Sequence, residues 1–266
     1  MSLLPLLILG LVQGATEFLP ISSSGHLVLV SMFHPDWDQG HLIDAAAHLG
    51  TLVAVVIAFR RDLHELLIDA AAILRGRQDA ARSWLVVHLA LATIPVAVAG
   101  LILHMTGAIT IVRNITAIGT TTLTFGLVLY LADRLGSQDK TLRELGWRSA
   151  LIIGIFQVLS LVPGTSRSGI TITAGRMLGY GRQDAIKISI LLSIPTIILV
   201  SLFSLSSMTY RFDLTALAAA GLVAGISFIV GLCVISLLLR LHRTVSFTPY
   251  VIYRVILGSV LLALAW

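Results

Sequence analysis

Charge is scarce in this chain. Only 12% of its 266 residues are Asp, Glu, Lys or Arg, too few to coat a water-soluble domain of that length. Cysteine occurs once, at Cys233 inside an apolar run, which excludes an intramolecular disulfide and any cysteine-based metal site. The opening Met-Ser-Leu-Leu-Pro has no basic stretch ahead of its apolar residues, so a cleaved signal peptide is not expected. A basic face interleaved with aromatics is also missing. The net charge is +5, but 14 of the 18 Lys and Arg fall in four short segments, a pattern of membrane topology and not of nucleic-acid binding. What is abundant is apolar: 57% hydrophobic residues and a mean hydropathy of +0.96 point to an all-α polytopic membrane protein.

Six apolar runs approach the length of about 20 residues that a bilayer crossing requires. They are Leu42 to Phe59, Trp84 to Leu103, Ile115 to Leu131, Ile188 to Leu205, Leu214 to Leu239 and Phe247 to Trp266. Segments 60–83, 133–148, 176–187 and 240–246 carry five, four, three and two Lys or Arg, whereas 104–114 and 206–213 carry one each, Arg113 and Arg211. The basic segments are therefore expected on the cytoplasmic side.

Two further stretches repeat one another. Leu7 to Gly25 aligns without gaps on Leu151 to Gly169, with 7 of 19 positions identical, among them Gly10/Gly154, Gln13/Gln157, Ser22/Ser166, Ser24/Ser168 and Gly25/Gly169. Pro, Gly and Ser interrupt each arm after about 15 residues, too few to cross at about 1.5 Å per residue. They read as re-entrant helical hairpins, and irregular backbone at that depth must be buried in protein or line a wet cavity. Counting crossings, the hairpin at 3–33 enters from outside and the one at 149–175 from inside. The expected architecture is a single integral membrane domain over 1–266, an inverted-topology repeat of six transmembrane helices plus two re-entrant hairpins. Residues 1–132 form the first repeat and 149–266 the second, and the hairpin tips meet near the bilayer midplane.

The tips carry the chemistry. Gln13 and Glu17, four apart, share a helical face. Pro20 ends that arm, and Ser22, Ser23, Ser24 and Gly25 offer hydroxyls and backbone amides to the start of the next half-helix, a natural anion site. In the second copy Pro163-Gly164-Thr165-Ser166-Arg167-Ser168-Gly169 makes the same start, with Arg167 where the first copy has Ser23. Two positive helix ends and a guanidinium would converge on one phosphate group, which Arg grips in a bidentate fork. Glu17 and His26 align with Leu161 and Ile170, so proton-moving groups sit in one hairpin and the fixed cation in the other. A carboxylate beside an imidazole can activate Ser23 or a water, while Arg167 absorbs developing phosphoryl charge. The pattern points to phosphoryl transfer or hydrolysis.

These residues also carry a resemblance. The run from Gln13 to His26, Gln-Gly-Ala-Thr-Glu-Phe-Leu-Pro-Ile-Ser-Ser-Ser-Gly-His, resembles the first signature of bacterial undecaprenyl-diphosphate phosphatases, also called bacitracin-resistance proteins. Pro163 to Gly169 resembles their second, and Phe-Thr-Pro-Tyr-Val-Ile-Tyr-Arg ending at Arg254 is similar to their closing segment. The resemblance spans the chain. It implies an enzyme of the bacterial cytoplasmic (inner) membrane, with its site open to the outer face. The reaction would remove the terminal phosphate of a C55 prenyl diphosphate, recycling the lipid carrier of peptidoglycan synthesis, with help from a divalent cation, Mg²⁺ or Ca²⁺. Bacitracin would compete for the lipid substrate instead of binding the protein, and a homodimer is left open. Carried over by position, Glu17 and His26 are acid/base or metal-linked groups and Ser23 is a candidate nucleophile. Ser166, Arg167 and Thr171 are phosphate ligands, and Ser22, Ser24 and Ser168 complete the assigned diphosphate site. Position 13 is Gln where many members have Glu, which weakens metal binding through Gln13 and Glu17 together.

Plainer readings exist for each group. Glu17 could serve only as a partner for Arg167, although an ionisable group at midplane depth is by default functional. The serines are ordinary caps and close-packing residues. Gln157 suits the carbonyls of a helix break, Asp44 could cap a span, and Arg254 could snorkel to the cytoplasmic face or reach the cavity. A secondary transporter or flippase for an anionic prenyl lipid would share the inverted repeat but gives no reason for Glu17, Ser23 and His26 together. The lipid phosphatases with a histidine nucleophile need a His soon after the Ser-Arg pair, and none follows Ser166-Arg167 before His242.

Overall fold

The computed structural model describes residues 3–34, 37, 40–75, 83–106, 114–206 and 213–265. Two broken helices organise it. α1 (Leu3–Thr16) makes its last helical bond from Glu17 N to Gln13 O, at 3.0 Å; Pro20, which has no N–H to give, follows. Ser22 then turns the chain through a φ of 75°, and its Oγ accepts from Gly25 N at 3.2 Å, capping α2 (Ser23–Phe33). The second repeat uses the same device. α7 (Trp147–Val158) runs into a short 3₁₀ turn, Ser166 takes a φ of 72°, and its Oγ accepts from Gly169 N at 3.0 Å to start α8 (Arg167–Met177). Positive φ is uncommon for any residue but glycine, and here it recurs at the serines that the alignment had paired.

Among the described residues five helices are long and apolar enough to cross a membrane: α3 (Gly40–Ala58), α5 (Ser83–Thr106), α6 (Ile115–Leu135), α9 (Arg182–Ser206) and α10 (Leu214–Leu241). The sixth expected span, Phe247 to Trp266, is α11 (Thr248–Leu264), 17 residues, or about 25 Å at 1.5 Å per residue. That is short of a hydrocarbon core of about 30 Å; Trp266 itself lies outside the described residues. Segment 60–83 is not a plain loop. It opens with α4 (Arg60–Leu74), whose Leu63, Leu66, Leu67, Ala70 and Leu74 recur at helical spacing behind the charges used to set topology. Arg113 and Arg211 lie outside the described residues. Among those residues the chain is helical, with an isolated bridge between Lys140 and Tyr180.

Glycine sets where the helices touch. A Cβ on Gly10 of α1 would lie 2.9 Å from Ile226 Cβ of α10, and one on Gly154 of α7 would lie 2.5 Å from Ala92 O of α5. Each broken arm therefore packs on a long helix of the other repeat, with small residues letting backbones approach. Gly50 of α3 is closer still, since a Cβ there would collide with the carbonyl of Ala224 in α10. Phe18, Leu129, Ile153 and Ile186 fill the core among these crossings, while Ile94, Leu127, Ile229 and Ile256 stand exposed on faces suited to lipid.

One carboxylate ties the other end together. Asp133, near the end of α6, accepts from Arg176 Nε at 3.1 Å, from Arg182 at 2.8 and 3.1 Å, and from Phe247 N at 3.2 Å. Arg176, counted from sequence among the cytoplasmic loop cations, is fully buried in the last turn of α8. Its charge is held by Asp133 and by the Ser137 and Gly136 carbonyls.

Candidate active site where two helix breaks meet

The two breaks touch. A Cβ on Gly25 would lie 3.3 Å from Gly164 Cα, and Ser168 Oγ donates to Leu19 O at 2.7 Å. Glu17, in the turn after α1, sits at the contact with only 7% of its surface exposed. Its Oε2 accepts from Gln13 Nε2 at 2.9 Å and from Ser23 Oγ at 2.7 Å. Its Oε1 faces Arg167 NH2 of the second hairpin at 3.3 Å. That distance is long for a charge-assisted bond, which runs about 2.7–2.9 Å, so Arg167 holds Glu17 loosely. Its firmer anchor is Ser189 O of α9, at 2.9 Å from NH1.

These groups open on a cavity of about 170 Å³ whose lining includes Glu17, Ser23, Ser24, Ser166 and Arg167. The other candidates take supporting places. Ser22 caps α2. Ser168 ties the second break to the first. Thr171 Oγ1 is spent on Arg167 O at 2.8 Å and Ser189 Oγ at 2.8 Å, which fixes the backbone under Arg167. His26 is engaged elsewhere. Its Nδ1 lies 2.6 Å from Ser22 O and its Nε2 2.6 Å from Tyr253 OH. A carbonyl can only accept, so Nδ1 carries the proton, and in the neutral ring Nε2 accepts from Tyr253. The imidazole therefore braces α2 against α11, and its nitrogens are turned to Ser22 and Tyr253, not to Glu17 or Ser23.

Arg254 is the residue the sequence undersold. It does not snorkel: it is fully buried and reaches both breaks, donating to Pro20 O at 3.0 Å and to Gly164 O and Thr165 O at 3.1 and 3.0 Å. It also donates to Thr122 O of α6 at 3.0 Å. Its signal was the closing segment that carries Tyr253 and Arg254 side by side. Gln157, expected on a carbonyl, instead donates to Thr196 Oγ1 at 3.3 Å, and Asp44 lies within α3, not at its cap.

Among the described residues no three His, Cys, Asp or Glu side chains gather to hold a metal. Beside Glu17, however, Gln13 Oε1 is buried without a hydrogen-bond partner. One carboxylate and one amide oxygen fit a hard divalent cation that takes its remaining ligands from phosphate oxygens.

Fold and site together define a polytopic helical membrane protein in which an arginine, a carboxylate and a serine hydroxyl from two helix breaks meet at one cavity. The sequence model of the family described as bacitracin resistance protein BacA matches residues 6–260. Proteins named undecaprenyl-diphosphatase from Ruegeria pomeroyi and Jannaschia sp. are 48% and 47% identical over 266 residues, the whole of each chain. One from Kineococcus radiotolerans is 42% identical over 261 residues, 96% of this chain and 91% of its own. The chain belongs to the bacitracin resistance protein family.

Proposed function

We infer that the protein hydrolyses undecaprenyl diphosphate to undecaprenyl phosphate and inorganic phosphate. The observation that carries this reading is the division of Glu17: one oxygen accepts from Ser23 at 2.7 Å and the other faces Arg167 at 3.3 Å, at the mouth of one cavity. A transporter of anionic lipid would use Arg167 but has no task for a hydroxyl held on a carboxylate.

The reaction follows from that arrangement. The terminal phosphate enters with Arg167 turning its fork from Glu17 to the phosphoryl oxygens, while Ser189 O keeps the guanidinium in place. The starts of α2 and α8 add their positive ends. Ser23 Oγ attacks the terminal phosphorus as its proton passes to Glu17 Oε2, the anhydride P–O bond breaks, and undecaprenyl phosphate leaves. Glu17 hands that proton to the departing phosphate; water then splits the phosphoseryl ester, Glu17 taking a proton from the water and returning it to Ser23 Oγ as inorganic phosphate is released. A divalent cation held by Glu17 and Gln13 Oε1 would offset charge on the diphosphate when bound.

The reading extends to placement. The two broken pairs are re-entrant hairpins of an inverted repeat, and α11 is a sixth span completed at its ends. The basic segments face the cytoplasm, so the site opens to the outer side of the inner membrane. There the enzyme would return the lipid carrier to peptidoglycan synthesis and would meet bacitracin as a competitor for its substrate.

The test is phosphate release from undecaprenyl diphosphate by detergent-purified protein. Glu17→Gln and Arg167→Ala should each lower it by about 10²–10⁴-fold. Failure of well-folded wild type to release phosphate with either cation would overturn the assignment.

A further inference from the structure

A second cavity lies against the first. It has about 440 Å³ and takes most of its walls from α2 and α3, and Ser24, His48 and Val200 line both spaces. Those three residues therefore stand between the cavity of Glu17 and Arg167 and its neighbour. We propose that inorganic phosphate, once cut from the lipid, leaves the catalytic cavity through this partition, with the His48 imidazole as its ligand on the way out. The proposal rests on the phosphatase reading.

Elimination singles out His48. Outside the two breaks, the polar side chains of the catalytic cavity are His48, Ser160 and Thr196. Ser160 Oγ is spent on Gln157 O at 2.6 Å, and Thr196 Oγ1 donates to Leu192 O at 2.7 Å while accepting from Gln157 Nε2. His48 is held by one nitrogen only. Its Nδ1 donates to Asp44 O at 2.8 Å, which leaves Nε2 as the lone-pair nitrogen of the neutral ring, and among the described residues Nε2 has no hydrogen-bond partner. His26, the imidazole of the first break, has both nitrogens engaged. A ring anchored in this way suits inorganic phosphate in either state: neutral Nε2 accepts from a P–OH, and protonated Nε2 donates to a P–O⁻. The product carries both groups, since water supplies a hydroxyl at phosphorus.

The far side of the partition continues the path. His41, Asp44 and His48 follow one another along α3 at spacings of three and four, one stripe of the helix, and all three line the second cavity. From His48 to His41 is about 10 Å at 1.5 Å per residue, toward the start of α3, the outer end in the topology proposed above. The stripe belongs to the first repeat alone. At the offset of 144 residues that aligns the breaks, His41, Asp44 and His48 fall on Ala185, Ile188 and Leu192, all buried in the core. The same asymmetry separates Glu17 and His26 from Leu161 and Ile170, so the polar stripe lies in the repeat that carries the proton-moving groups. Asp44 keeps the second cavity from becoming a trap. A carboxylate in the wall repels an anion, and a route works only when each site releases what it takes.

The probe is inorganic phosphate, added as a product inhibitor of undecaprenyl diphosphate hydrolysis by the full-length enzyme. His48→Leu should raise its inhibition constant by about tenfold or more, the scale of one hydrogen bond to a charged group. KM for the lipid, which Arg167 grips, should stay at the wild-type value. His48→Gln, whose amide can still donate and accept, should restore the inhibition constant toward wild type, which a loss of folding would not allow. A second variant obstructs the route instead of the ligand. Ser31→Phe, in the α2 wall of the second cavity, should lower kcat by slowing product release, while the first turnover, read as undecaprenyl phosphate formed in a rapid-quench burst, keeps the wild-type rate. Wild type that hydrolyses the lipid while His48→Leu leaves the inhibition constant unchanged and Ser31→Phe leaves kcat unchanged would overturn the exit but leave the phosphatase standing. Wild type that hydrolyses no prenyl diphosphate would remove the phosphatase reading itself.

Discussion

Arg254 donates to the carbonyl oxygen of Pro20 at 3.0 Å, across 234 residues of sequence. Through the same guanidinium Pro20 is joined to Gly164 and Thr165 of the other break and to Thr121 and Thr122 of α6. Five carbonyls on one planar fork hold the two breaks in register.

Arg254→Lys keeps the charge but replaces the fork with a single ammonium, which cannot span those carbonyls. We expect a folded protein whose phosphate release falls about 10²-fold, the usual loss when reacting groups shift by about 1 Å. Detergent thermal unfolding beside phosphate release checks both halves of the statement.

Gln13 tests the cation. Gln13→Glu puts a second carboxylate beside Glu17 and should lower the Mg²⁺ concentration needed for half-maximal hydrolysis, whereas Gln13→Met, which removes the amide oxygen, should raise it. Chelation of divalent ions should stop wild-type turnover and added Mg²⁺ should restore it. Titration of Mg²⁺ into chelator-treated enzymes measures all three.

Ser22 holds a φ of 75° and caps α2. Both Ser22→Gly and Ser22→Ala lose the Oγ that caps α2, but glycine relieves the positive-φ backbone whereas alanine keeps the strain. Alanine should therefore be less stable than glycine by about 1–3 kcal/mol, read as the difference between their unfolding midpoints.

Asp133→Asn leaves Arg176 and Arg182 without their counter-ion in a buried site. The cost should be about 3–5 kcal/mol, read by thermal unfolding in detergent.

The pH response has a separate source in His242, which follows α10, is 2% exposed and donates from Nδ1 to Val245 O at 2.9 Å. Burial holds its pKa below the ordinary histidine value, and Arg182 pushes the same way, against the raising influence of Val245 and Asp133. The unfolded chain binds a proton near pH 6.5 that the fold refuses. This histidine therefore costs nothing above that pH, and stability falls as pH drops below it. Unfolding midpoints of wild type should decline from about pH 7 to pH 5, and His242→Gln should flatten part of that decline.

Much of this was legible in residue order. The breaks announced themselves because Pro20, Pro163 and Gly164 interrupt apolar arms at matched positions, and the Glu17, Ser23 and Arg167 cluster followed from laying one copy on the other. Arg254 and Asp133 were not legible. Arg254 binds backbone carbonyls of three other segments, and a carbonyl has no letter in a sequence. Asp133 recruits Arg176 and Arg182 from charges that topology counting assigns to solvent. α4 was missed because its cations were read for their sign and its leucines were not read for their period. His26 carried a motif position, but which way an imidazole turns depends on Tyr253, distant in sequence.

The interleaving of the repeats also bears on how the chain is made. The seat of Gly10 on Val223 and Ile226 is synthesised more than two hundred residues after Gly10 itself, about 10–40 s later at ordinary translation rates. For that interval the polar turn between α1 and α2 is without its partner break. A nascent chain arrested before α10 should therefore be the form most exposed to insertion chaperones and membrane proteases, and assembly of the site is a closing event of biogenesis.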